Sequence, residues 1–256
     1  MRPVRTFRRR LGSSPAPTLR KIGFCHFGSS HPNNRISSLK TSLMKAAETT
    51  ALDDALIVIP EAFNIHGGYL DNLHPRLLDS SIYESLLKLS SELKAAFVAG
   101  LIVNGGRQPQ YSCAYLIDGE ISKLLSCKKD DDKTGNYDPC MFDCDQPLLH
   151  RGACLAALIC MDASNGPDSE RGMQLLNRVR HWRAANTILS IPSHMSAYNS
   201  QSVAAAWAKH VHVVLANSYP WMPSVIHLRG ADQPLLFQDS DDQVKIVSLY
   251  DQGSPS

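Results

Sequence analysis

Glu61, the lysine pair Lys128 and Lys129, and Cys160 stand in that order along the chain, each near the end of an apolar run. Together they offer a carboxylate, an amine and a thiol. A thiol becomes a useful nucleophile only when a base takes its proton or a cation stabilises its thiolate. Glu61 can be that base. An ammonium beside the pair serves differently, because attack of sulfur on an amide or nitrile carbon builds negative charge on the carbonyl oxygen or the nitrogen, and a held cation stabilises it. The backbone N–H of Met161 is a second donor for that charge. Such a set needs no metal and no organic cofactor. A cysteine in an apolar strand is by itself an ordinary small core residue, so the weight rests on the ordered set.

Strand alternation sends Lys128 and Lys129 to opposite faces, so only one of them can reach the thiol. Tyr69, Met161, Asp162, Ser193 and His194 also fall in or beside strand ends. His194 reads as a substrate contact or a hydrogen-bonded loop histidine, because Glu61 already supplies a base. Tyr69 and Phe63 read equally as core aromatics.

The elements that must carry these residues alternate along the chain. Residues 19–27, 55–61, 95–103, 153–160, 186–193 and 211–218 are apolar strand-like runs. Helical spacing marks 34–50, a stretch through Ile82, Leu86, Leu89 and Leu93, a stripe of Met173, Leu176, Val179 and Trp182, and a helix near 199–209. Two further β-like runs, 111–117 and 121–129, meet at Asp118-Gly119, a hairpin turn in which glycine accepts the positive φ. Runs at 224–228 and 244–250 finish the chain as strands, the first hairpin-linked to Leu235, Leu236 and Phe237. Helices alternating with strands, yet interrupted by hairpins, imply a layered α/β fold with mixed sheets.

Composition bounds the remaining classes. At 256 residues, 43% hydrophobic, the chain can bury one sizeable core. No apolar run approaches a membrane span, and no membrane partner is expected. Residues 1–47 hold ten Lys/Arg and no acid, leaving sixteen basic against twenty-four acidic residues in the rest. The body lacks the basic face of a nucleic-acid-binding domain. Residues 1–18, Arg-rich and then rich in proline and small residues, read as a disordered basic extension, with 19–256 as the single domain. The expected location is cytoplasmic; the alternative is an organelle address in the basic extension, although Pro3 and the run Arg8–Arg10 spoil an amphipathic face. Seven cysteines are an odd number and point to a reducing compartment with thiols rather than a disulfide scaffold. Cys140 with Cys144, and His210 with His212, lack the further ligands of a metal site.

The motifs "VIPEAFNIHGGY", the lysine pair after a "DG" hairpin, and Ile159, Cys160 and Asp162 in "LICMD" resemble the nitrilase superfamily of carbon–nitrogen hydrolases. The resemblance covers roughly 19–251. It implies a four-layer α-β-β-α sandwich of two mixed sheets, a homodimer, a small amide or, second, a nitrile as substrate, and a thioester at Cys160. The family register of aromatic, basic and catalytic lysine falls on Cys127, Lys128 and Lys129, so the expected triad is Glu61, Lys129 and Cys160; Lys128 and then Lys133 are the alternatives. Tyr69, Met161 and His194 are the expected substrate contacts. Relatives often carry another glutamate between lysine and cysteine, whereas 130–159 has none; Asp130, Asp131, Asp132 or Asp138 is the substitute. Pro167-Asp168 is a shifted counterpart of a Pro-Glu pair. Two other readings compete: a Cys-His hydrolase using His181, His194 or His210, and a catalytically silent protein that keeps the fold as a binding or scaffold module. A thiolate poised at Cys160 would be alkylated near neutral pH before the other cysteines.

Overall fold

The computed structural model describes residues 18–27, 35–63, 80–104, 110–129, 144–194, 200–218, 222–237 and 243–250. The basic extension through residue 17, Tyr69, Lys133, Cys140 and the aspartates at 130, 131, 132 and 138 lie outside them.

Every residue of β2 (Ala55–Ile59) is buried, which requires a strand covered on both faces. Its side chains divide by parity: Leu56 and Val58 join one apolar cluster, Ala55, Ile57 and Ile59 another. Those two clusters are the two sides of the first sheet. Its strands run in the order β12 (Gln243–Ser248), β1 (Lys21–His26), β2, β3 (Ala96–Asn104), β4 (Gln110–Asp118), β5 (Ile121–Cys127). The outer cluster is closed by Leu39 and Leu43 of α1 (Arg35–Ala47) and by Ile82, Leu86 and Leu89 of α2 (Ser80–Leu93), each set at the i, i+3/i+4 spacing of one helix face.

The inner cluster is shared with a second six-stranded sheet, ordered β11 (Leu235–Phe237), β10 (Ser224–His227), β9 (His212–Asn217), β8 (Asn186–Ser193), β7 (Ala153–Ala157), β6 (Leu148–His150). Leu175, Leu176 and Val179 of α4 (Glu170–His181), with Val203, Ala204 and Trp207 of α5 (Ser200–Ala208), pack against this sheet. The result is helix, sheet, sheet, helix. Both sheets are mixed: β1-β2-β3 and β7-β8-β9 are parallel, and the strands outside each core are antiparallel. The four layers, the Asp118-Gly119 hairpin with Gly119 at φ 60°, and the β10–β11 hairpin agree with the sequence reading. His210 does not share a strand face with His212, because β9 begins only at His212.

One end of the sandwich is fastened by Arg151. Its guanidinium donates to the Asp118 carboxylate and to the main-chain oxygens of Asp53 and Lys94, so the turn after β6 is tied to three loops of the other sheet. Burial pushes the Asp118 carboxyl up, but hydrogen bonds from His150 and Arg151 outweigh it and hold the group below the usual carboxylate range. The opposite end, where the parallel strands finish, is left for chemistry. Among the described residues no helix is long and apolar enough to cross a membrane.

Candidate active site

Cys160 sits where the chain leaves the second sheet. Regular strand ends at Ala157, three residues sooner than the apolar run implies, yet Leu158 N–H and Cys160 N–H still donate to Ser190 O and Pro192 O at 3.1 Å each. The chain then turns into α3 (Met161–Ser164), and Cys160 takes φ 47° and ψ −111°. A non-glycine residue in that region stores about 1–3 kcal/mol of strain that its surroundings must offset. They do so through the Pro192 bond beneath and through α5, whose Trp207 indole donates to Ala163 O at 2.8 Å. Cys160 is thereby held, still buried, just beyond the end of its strand.

Glu61 follows β2 and Pro60 and is fully buried. Its Oε1 accepts from Ser112 Oγ at 2.9 Å and from Lys128 Nζ at 3.2 Å. Its Oε2 is buried and has no hydrogen-bond partner among the described residues. The main chain of Glu61 lies against Gly100 of β3, where an added Cβ would meet Glu61 Cα at 2.6 Å and Pro192 Cβ at 2.7 Å. Gly100 thus lets Pro192 of the other sheet approach β3 beside the Glu61 main chain more closely than a side chain there would allow.

The two lysines are placed in the reverse of the expected order. Lys128 is buried and pairs with Glu61, whereas Lys129 is half-buried, with its amine 3.8 Å from Asp145. The structure thus sets Lys128, where Lys129 was expected, beside Glu61. A bulge in β5 explains it: pairing runs Asp118 with Ile121 through Tyr115 with Leu124, then skips Leu125 to pair Ala114 with Ser126. That single extra residue sets Lys128 opposite Ser112, with Lys128 N–H donating to Ser112 O at 2.8 Å. Both side chains then face Glu61.

What Lys129 contributes is its main chain. Its N–H donates to the buried Asp162 carboxylate at 3.1 Å, and Asp162 pairs in turn with Arg171 of α4. Arg171 also grips Asp145 at 2.6 and 2.8 Å and donates to Cys127 O at 3.0 Å. The peptide units on both sides of Lys128 are thus fastened to α3 and α4, the two helices that follow the cysteine. Burial alone would pull Arg171 down, but Asp145 and Asp162 more than offset it and keep the guanidinium charged.

His194 brings its backbone to the sulfur. Its N–H is a hydrogen-bond donor to Cys160, while its Nδ1 lies 2.6 Å from Ser218 Oγ. Met161 opens α3, so its N–H is among the first-turn donors that no helical carbonyl can accept. His181 is exposed at the end of α4 and His210 lies in the turn after α5, which leaves neither in the constellation described. Sequence reading misses Ser112, Gly100, Arg171 and Trp207.

Burial is the largest influence on the Cys160 thiol and the Glu61 charge adds to it, pushing the pKa up to about 12. Lys128, the His194 N–H and the Ser193 hydroxyl pull the other way without overcoming them. The balance favours the thiol over the thiolate. Selective alkylation near neutral pH, the sign expected of a poised thiolate, does not follow from this arrangement.

No family model matches the chain, and no curated protein does. Solved structures do. A glutamate-to-glutamine, cysteine-to-alanine double mutant of the amidase from Nesterenkonia sp. AN1, in complex with acrylamide, is 16% identical, with a TM-score of 0.66 and coverage of 94% of each chain. A cysteine-to-alanine mutant of the same Nesterenkonia AN1 amidase, described as from the nitrilase superfamily, is 18% identical with the same TM-score and coverage. A third structure of that amidase carries the acetamide moiety of fluoroacetamide covalently on its active-site cysteine; it is 16% identical, with a TM-score of 0.63, covering 94% of this chain and 96% of its own. This chain has the fold of those amidases.

Proposed function

We propose that the chain is a carbon–nitrogen hydrolase acting on small amides, with Cys160 as nucleophile, Glu61 as proton carrier and Lys128 as the cation for the developing negative charge. The observation that carries this reading is the division of labour within one carboxylate: Oε1 is held by Ser112 and Lys128, and the buried Oε2 is left to exchange a proton. Glu61 and Cys160 interact electrostatically, which fits a proton passing between them only when a substrate carbon is there to receive the sulfur.

In that scheme Oε2 takes the thiol proton as sulfur attacks the amide carbon. The oxyanion is met by the Lys128 ammonium and the Met161 N–H. Collapse breaks the C–N bond, and Glu61 returns its proton to the leaving nitrogen. A water deprotonated by the same carboxylate then attacks the thioester, freeing a carboxylic acid and the Cys160 thiol. The amide complexes of the Nesterenkonia amidase favour amides over nitriles as the first substrates to try.

The direct test is incubation with a panel of short aliphatic amides and nitriles, reading ammonia release and the mass of the Cys160 peptide. Ammonia together with an acyl adduct confined to that peptide is expected. Ammonia release that persists in Cys160→Ala, or its absence across the panel, would refute the assignment.

Gly100→Ala gives a second, purely geometric expectation. The new methyl meets the Glu61 backbone and Pro192, whose carbonyl holds Cys160 N–H, so Glu61 or Pro192 must shift by several tenths of an ångström. Misplacement of reacting groups by about 1 Å costs on the order of 100-fold. A drop in kcat/KM approaching that size, with an unchanged circular dichroism spectrum, is the expected outcome; wild-type kinetics would show that the close approach does not position the groups.

A further inference from the structure

Cys113 of β4 and Cys127 of β5 are direct partners across an antiparallel ladder, and their sulfurs lie 2.9 Å apart. The next pair along defines the kind of position they occupy. Because Lys128 N–H donates to Ser112 O, Ser112 and Lys128 form a hydrogen-bonded pair, and ladder alternation makes Cys113 and Cys127 a non-hydrogen-bonded one. Cα atoms at such positions are about 4.5 Å apart, inside the span of roughly 4.4–6.8 Å that a disulfide bridges.

A third thiol sharpens the choice of partners. Cys127 N–H, turned away from β4, donates to Cys144 Sγ at 2.9 Å, and the Cys144 thiol donates back to Cys127 O at 3.8 Å. Cys144 is engaged with main chain through both its proton and its lone pair, while Cys113 and Cys127 face each other sulfur to sulfur. None of the three is in a disulfide, and all are buried. Among the described residues no three His, Cys, Asp or Glu are grouped to hold a metal ion, so the cluster is read as redox chemistry.

We propose that Cys113 and Cys127 are a modification site: an oxidisable dithiol that closes to a cross-strand disulfide on exposure to a peroxide and reopens with a thiol reductant. One sulfur, as thiolate, attacks a peroxide oxygen; the O–O bond breaks, water leaves, and a sulfenic acid remains. The second sulfur attacks the first, the S–O bond breaks and a second water departs. Two thiols and one hydrogen peroxide thus give one disulfide and two waters. The sulfurs close to about 2.05 Å, a sub-ångström movement shared by two side chains, so neither strand leaves its register. The neighbours Ser112 and Lys128 point to the opposite face, at Glu61. The bridge therefore staples β4 to β5 directly behind the Glu61 pair and makes the oxidised protein harder to unfold.

The test uses the full chain carrying Cys160→Ser, so that oxidation at that sulfur contributes nothing. After hydrogen peroxide, remaining thiols are blocked with N-ethylmaleimide in denaturant and peptides are mapped without reduction. The expected product is a single cross-linked peptide pair joining Cys113 to Cys127, lost on adding dithiothreitol and absent when Cys113→Ser is introduced. The melting temperature should rise by several degrees on oxidation of the parent and not of that variant. Cys154, whose thiol burial pushes up to about 11, serves as the internal control and stays alkylatable. Cys127→Ala is the second variant and should lose the cross-link in the same way. A dominant Cys127–Cys144 bridge, sulfinic acid without cross-linking, or unchanged labelling of Cys113 and Cys127 would overturn the proposal.

Discussion

Glu61→Gln is expected to stop turnover while leaving Cys160 able to react with electrophiles, and to shift that reactivity to lower pH. The amide can still accept from Ser112 and Lys128, so the substitution removes the proton carrier and the charge but not the local hydrogen bonds. Loss of a general base or acid costs on the order of 10²–10⁴ in rate, and here one carboxylate performs every transfer, which places the loss at the upper end. The sign of the second effect follows from the charges beside the sulfur. Glu61 raises the Cys160 pKa and Lys128 lowers it, so removing the anion and keeping the cation stabilises the thiolate. Iodoacetamide alkylation of Cys160 across a pH series is the check: its midpoint should move below that of the wild type even as amide turnover vanishes. Turnover within a few-fold of wild type would transfer the base to another residue, and an unmoved midpoint would mean that the carboxylate and sulfur do not share a site.

The motifs around Glu61 and Cys160 were legible because each ends a buried parallel strand, and an apolar run closed by a reactive side chain is a local pattern. The lysine was not. Choosing Lys128 over Lys129 depends on the bulge at Leu125, which exists only in the pairing of β5 with β4 and leaves no mark on the alternation of β5 itself. Gly100 offered a weak signal, since a glycine inside an apolar strand often marks a close backbone approach, but which backbone approaches is a matter of sheet packing. Arg171 carried a sharper one. A cation in the first turn of α4 opposes the helix dipole, and such a placement asks for a buried anion nearby, found in Asp145 and Asp162. Ser112, a small polar residue in a strand, could not have been separated from an ordinary core hydroxyl without the coordinates of Glu61.

Lys128→Met and Lys129→Met should part company by roughly two orders of magnitude. Removing one preorganised donor to a developing oxyanion costs on the order of 10²–10³ in kcat, and Lys128 is the buried amine beside Glu61. Lys129 fastens the strand end through its backbone N–H, which methionine retains, and its half-buried amine lies 3.8 Å from Asp145 rather than at Glu61, so its variant should stay within a few-fold of wild type. Lys128→Met has a second consequence that must be separated from the first. It strands the Glu61 carboxylate in a fully buried position, and breaking a buried ion pair from one side destabilises by about 3–5 kcal/mol. The double variant Lys128→Met with Glu61→Gln removes both charges, so denaturant melts should recover much of that stability while activity stays lost. Recovery of stability shows that the cost of Lys128→Met is the stranded carboxylate, and the chemical part is read from the single variant, as a fall in kcat measured under conditions where melts show Lys128→Met to be fully folded. If folded Lys128→Met keeps kcat within a few-fold of wild type, or if Lys129→Met proves the more damaging single change, then the pairing of Lys128 with Glu61 is structural and the charge on the intermediate is met elsewhere.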